Sequence, residues 1–154
     1  MLFRSFLKKK PIEHPSKSKW SILQGQDNEK PIFVRRNDSA KQLSSNSEFD
    51  YRVGVAIPLL APNKFGLPSN DEMESLNKIE SELSIQLEKG KNSLLVLSIT
   101  TNGMREFVFY TRDSRMIEKI INDVRNKFSS HEIQFYIEKD KDWSVYKQFA
   151  ANHY

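Results

Sequence analysis

The side chains that carry most enzymatic chemistry are thinly spread along this sequence. His14, His131 and His153 fall in a polar lead, at a helix-to-strand junction and one residue before the end. None has a second histidine or a carboxylate at metal-ligand spacing. His131 stands beside Glu132, but neighbours along a strand point to opposite faces. Cysteine is absent, which removes disulfides, thiolate metal sites and a cysteine nucleophile together. The five glycines, at 25, 54, 66, 90 and 103, never approach the spacing of a phosphate loop or a dinucleotide fingerprint, and no serine sits between glycines as in a nucleophile elbow. No catalytic residue, metal or cofactor is therefore assigned. The nearest candidate for acid chemistry is Glu80, at the margin of an apolar helical stripe, where partial burial would perturb its titration. Glu82 and Glu88 do not stand at i, i+3 or i, i+4 from it. The plainer reading is a flanking side chain paired to a nearby Lys or Arg.

Two aromatic clusters offer binding chemistry instead. After Asn102-Gly103, the run Arg105-Glu106-Phe107-Val108-Phe109 places a cation and two rings on one strand face. RNA-recognition sheets use such a face to stack bases. Glu106 and Val108 stand where that motif wants glycine or alanine, and Gly54 and Ala56 stand where a second stacking ring is needed, so a core role for Phe107 and Phe109 is the simpler expectation. Lys8-Lys9-Lys10 would add phosphate attraction to the nucleic-acid alternative. The second cluster, Trp143, Tyr146 and Phe149, is an aromatic anchor for a protein partner or a cap on the sheet. Leu2, Phe3, Phe6 and Leu7 form too short an apolar face for more than weak membrane contact.

The elements that must position these residues are legible from residue 50 onward. Tyr51 to Leu60 reads as a strand ended by Pro58 and Pro62. Ser69-Asn70-Asp71-Glu72 is a capping box, and Met73, Leu76, Ile79, Leu83 and Leu87 form one helical stripe that Gly90 terminates. Ser93 to Thr101 is a near-continuous apolar, β-branched run, hence an interior strand. Asn102-Gly103 turns it into Met104–Arg112. Asp113 or Ser114 caps a second helix with the stripe Ile117, Ile120, Ile121, Val124 and Phe128. Glu132 to Glu138 alternates as a strand, and Asp142 to Phe149 reads as a short helix. The order over 50–138 is β-α-β-β-α-β, which predicts a ferredoxin-like α+β sandwich. Trp20–Gln24 and Pro31–Arg36 predict an extra N-terminal β-hairpin around a loop at 25–30. Residues 1–18 read as a flexible basic lead to a single domain over 19–154, and 37–49 reads as a linker.

The runs Gly66-Leu67-Pro68-Ser69-Asn70-Asp71-Glu72, Asn102-Gly103-Met104-Arg105-Glu106-Phe107-Val108-Phe109-Tyr110 and Asp142-Trp143-Ser144-Val145-Tyr146-Lys147-Gln148-Phe149 resemble the bacterial domain of unknown function 695 family. The likeness covers most of residues 18–150 and supplies no catalytic residues. The ending, with Asp140 or Asp142 before Trp143, Tyr146 and Phe149, is also similar to the regulators of ribonuclease E activity of type B. That resemblance implies a ferredoxin-like fold and inhibition by binding a nuclease.

Composition bounds the class of protein. The net charge of +4 conceals an asymmetry: residues 1–41 hold ten Lys/Arg against four Asp/Glu, and the remainder hold fourteen against sixteen. Basicity belongs to the first segment, where it is a solvated tail or an attraction for phosphate. No run of about 18 apolar residues exists to span a bilayer, and without a secretory leader the expected location is the cytoplasm. The expected function is a non-enzymatic binding module that regulates by protein–protein contact, with an RNA-binding accessory as the alternative and a cryptic acidic enzyme as the third. The sequence names neither the partner nor an oligomeric state.

Overall fold

In the computed structural model the described residues are 9–13, as backbone, together with 18–45 and 48–150. Strands β1 (Lys9–Glu13), β2 (Lys19–Asp27) and β3 (Lys30–Asn37) come first, followed by a 3-10 helix over Asp38–Ser45. Then come β4 (Tyr51–Pro58), α1 (Asn70–Leu87), β5 (Ser93–Thr101), β6 (Met104–Thr111), α2 (Ile117–Lys127), β7 (Gln134–Lys139) and α3 (Ser144–Ala150). All seven strands join one antiparallel sheet in the order β1-β2-β3-β5-β6-β4-β7. The β-α-β-β-α-β succession from β4 to β7 is as the hydrophobic periods predict.

The N-terminal third departs from expectation. Lys9–Glu13 is an edge strand on β2, so this part of the basic lead is built into the sheet. The extra piece is thus a three-stranded meander and not a hairpin alone. Its β2–β3 connection is also tighter than a loop over 25–30. Asn28 and Glu29 take φ of 50° and 68°, so two residues reverse the chain and pairing runs to Asp27 and Lys30. The linker-like stretch 37–49 contains the 3-10 helix, and Ala40 and Phe49 are fully or nearly fully buried. Lys8, His14, His153 and the apolar residues Leu2, Phe3, Phe6 and Leu7 lie outside the described residues.

The sheet carries a core on each face. On one, Val53, Val55, Ile57, Phe107 and Phe109 meet the stripes of α1 (Leu76, Ile79, Leu83, Leu87) and α2 (Ile117, Ile121, Val124). On the other, Leu23, Ile32, Val34, Leu97, Val108 and Tyr110 meet Trp143, Tyr146 and Phe149 of the α3 segment, with Ala40 and Phe49. A β-bulge between Leu95 and Leu97 lets both Val96 and Leu97 face this second core, which accounts for the unbroken apolar run of β5.

Local chemistry fixes the elements. Ser69 accepts the Glu72 amide at 3.2 Å and starts α1. The reciprocal half of the expected capping box is missing, because Glu72 turns inward to accept from Leu60 N–H at 2.7 Å and to meet His131 Nε2 at 2.7 Å. Neither Asp113 nor Ser114 caps α2 by its side chain. Asp113 grips Arg115 instead, and α2 begins at Ile117. Gly54 is demanded by packing: a Cβ there would lie 2.1 Å from the Tyr136 ring, which crosses it to reach Glu106 at 2.5 Å. At the far end the loop before α1 is tied to the β5–β6 turn by Leu59 N–H to Gly103 O and Gly103 N–H to Gly66 O.

Candidate ligand-binding groove

The aromatic residues singled out from sequence are all internal. Phe107 and Phe109 are completely buried beneath α1 and α2. They cannot stack bases in this fold, because the two helices occupy the face on which a strand would offer them. Arg105, on the same face, is only 5% exposed. Of the basic run, Lys9 and Lys10 belong to β1.

Trp143, Tyr146 and Phe149 are likewise buried and offer no surface anchor. Trp143 stacks on Tyr110 at 4.1 Å with planes 9° apart and donates Nε1–H to Phe49 O at 2.8 Å. Tyr146 donates its hydroxyl to Asn37 O at 2.8 Å, and Arg36 reaches Phe149 O at 2.5 Å. The acidic member of the group is Asp140. Its carboxylate accepts from Ser144 N–H at 2.9 Å, Tyr110 hydroxyl at 2.8 Å and Arg52 at 2.6 Å. Burial alone would raise its pKa, but these donors outweigh it and hold the carboxyl at about 2. The cluster is thus a bolt that fastens α3 across the sheet.

An opening runs beside α1, and its origin is geometric. Two helices side by side span about 20 Å, roughly four strands at about 4.8 Å each. α1 and α2 therefore cover β5, β6, β4 and β7, and the meander projects beyond them. A groove remains between α1 and the strands β2 and β3. The ion pair Arg35–Glu80, at 2.5 Å, crosses it midway. Glu80 is thus the partnered flanking acid, its cation supplied from a strand 45 residues away. Arg35 also lies over the Trp20 ring, 5.3 Å from its centroid.

The pair separates two hollows. The upper one, about 550 Å³, lies along the C-terminal half of α1 between Ser84 and Glu88 on one side and Trp20, Leu43, Phe49 and Leu94 on the other. Arg112 stands at its rim, 4.6 Å over the Phe49 ring and 2.8 Å from Glu48. The lower one, about 490 Å³, lies between Met73 and Asn77 of α1 and Ile22, Phe33 and Arg35 of the meander, with Leu67 and Pro68 at its mouth and Thr100 and Arg105 on its floor. Both volumes suit small ligands or the side chains of a partner.

Arg105 is the unusual group of the groove. Its Nε donates to Thr100 Oγ1 at 2.5 Å and one Nη to Met73 Sδ at 3.2 Å. Burial first, and the neighbouring Arg35 second, push its pKa down to about 10, so it stays charged at neutral pH. The buried Glu72–His131 contact lines neither hollow and sits against Leu60, and with Glu80 its carboxylate favours the charged form of Arg105. There the Leu60 N–H and His131 hold the Glu72 carboxyl below its ordinary range although burial opposes them. Sequence reading places His131 alone, because its partner is 59 residues distant. Period-two alternation does place Arg105 beside Phe107 and Phe109, and buried rings imply a buried arginine; that was the available signal for the lower hollow.

Among the described residues no three His, Cys, Asp or Glu stand where they could hold a metal ion, and no helix is long and apolar enough to cross a membrane. No curated protein and no solved structure matches the chain. A protein-family model does match over residues 18–150, which takes in β2 to β7, the three α-helices and the whole groove. The chain belongs to this family, the family of unknown function DUF695.

Proposed function

We propose that this chain is a non-enzymatic, cytoplasmic binding module that regulates another protein by direct contact through the groove along α1. The observation that carries the reading is the groove itself. It leaves the half-buried Leu43 and Leu94 over a floor of buried Trp20 and Phe49, with the cation Arg112 at the rim, a mixture of apolar floor and charged rim typical of contact surfaces. The scaffold we assign to it is ferredoxin-like. The order β5-β6-β4-β7 with α1 and α2 on one face supports that assignment, and the meander widens the sheet next to β5. The similarity of Asp140, Trp143, Tyr146 and Phe149 to the ending of a nuclease regulator supports the same scaffold, since these residues fasten α3 and do not reach the surface.

The test is affinity capture of the tagged protein from its own cells, with and without nuclease, beside a Ser84→Trp variant that plugs the upper hollow. A stoichiometric protein that survives nuclease and is lost with Ser84→Trp supports the proposal. Retention of that protein by the variant moves the contact elsewhere. Loss of every companion on nuclease treatment, with RNA in the untreated sample, overturns the proposal in favour of nucleic-acid binding.

A further inference from the structure

The lower hollow has a chemistry of its own. Arg105 is nearly fully buried, yet its two hydrogen-bond partners, the Thr100 hydroxyl and the Met73 sulfur, are both neutral. Nη1 bonds to no described residue, and no carboxylate among the described residues forms an ion pair with this guanidinium. Glu80 and Glu72 lie near enough to favour its charge, but neither is hydrogen-bonded to it, so the guanidinium has no carboxylate in direct contact. Arg35 enters the same hollow and pairs with Glu80. Around the two cations the surface is largely hydrocarbon: Ile22, Phe33, Leu67 and Pro68.

We propose that this hollow binds a small amphipathic carboxylate, a short aliphatic chain ending in one negative group. The carboxylate meets Arg105, the group whose planar fork matches two carboxylate oxygens. The chain lies between Phe33 and Leu67-Pro68, leaving the mouth past the exposed Asn77. Thr100 holds the guanidinium from behind, so the site is formed before ligand arrives. Arg35 can turn from Glu80 toward the bound anion, because it is 35% exposed and its present pair carries little energy. This inference goes beyond regulation through the upper hollow and needs no protein partner, so the two stand or fall separately.

Octanoate, octanamide and inorganic phosphate are the probes, titrated into the purified full chain and followed by calorimetry and by two-dimensional NMR. Octanoate binds and shifts amides of β3, β6 and the N-terminal half of α1, and octanamide binds at least tenfold more weakly. Arg105→Met lowers octanoate affinity tenfold or more. Because that substitution also alters the floor, Asn77→Trp is the second variant. It sits at an exposed helical position, obstructs the mouth and lowers affinity to a similar extent while the melting temperature stays put. Equal binding of octanoate and octanamide overturns the proposal, as does no binding of either. Phosphate binding as tight as octanoate overturns its apolar half. Octanoate affinity that survives Asn77→Trp places the ligand elsewhere and overturns the site.

Discussion

The two faces of the sheet handle polar groups in opposite ways. Beneath α3, Asp140 gathers Ser144, Tyr110 and Arg52, Tyr146 reaches Asn37, and Trp143 reaches Phe49. That face is closed, and its charges neutralise one another. Beside α1, the meander outruns the helices, and Arg105 is hydrogen-bonded only to neutral groups while Arg35 pairs with Glu80. The α3 face spends its aromatic packing on fixing α3, and the α1 side keeps open space beside Arg35 and Arg105.

Substitutions ranked by expected cost test this contrast. Trp143→Ala removes a fully buried ring stacked on Tyr110 and should cost about 3–5 kcal/mol in urea unfolding. A loss under about 1 kcal/mol would show that α3 is not a bolt.

Asp140→Asn should cost about 3 kcal/mol at neutral pH, since it leaves Arg52 without its buried partner. The pH dependence has a definite sign. Asp140 is held at about 2 against 3.8 when free, so its contribution is complete above pH 3.8 and is lost as pH falls toward 2. That contribution is about 2 kcal/mol. The gap between wild type and Asp140→Asn should narrow across that window; a constant gap would mean that the charge of Asp140 is irrelevant.

Gly54→Ala should cost about 1–3 kcal/mol, because its methyl group collides with Tyr136 and drives the ring off Glu106. Adding Tyr136→Ala should return part of the loss, and strictly additive penalties would contradict the collision. Glu80→Gln, on the open face, should change stability by less than about 1 kcal/mol. A penalty there equal to that of Trp143→Ala would erase the difference between the faces.

How much of this was legible in sequence follows the range of each interaction. Ser69 before an apolar stripe announced α1, and Asn102-Gly103 announced the β5–β6 turn, where both residues take positive φ. Those signals act over a few residues. Glu29 at φ 68° is unreadable, because glutamate carries no turn signature, so the sequence implies a longer β2–β3 loop than the two-residue turn that forms. The sequence leaves Asp140 and Asp142 as equal candidates for the acidic partner of the aromatic ending, and the Ser144 N–H bond to its carboxylate selects Asp140. The groove was invisible for a different reason. Arg35, Glu80 and Arg105 lie on three separate elements, and only the width of the sheet relative to two helices brings them around one hollow.

The seam between β3 and β5 has a kinetic meaning. It joins residues 32–36 to residues 97–101, whereas β5 meets β6 across a two-residue turn. Closing the short loop first is entropically favoured, so the meander has nothing to dock on until β5 is in place. The sheet should then assemble from its middle outward, with β1 and β2 as its last and most easily opened members. Native-state hydrogen exchange would register this as amides of β2 that exchange through a partial opening while those of β5 and β6 wait for global unfolding. An opening of that kind would lift one wall of the groove and withdraw Leu23 from the core beneath α3.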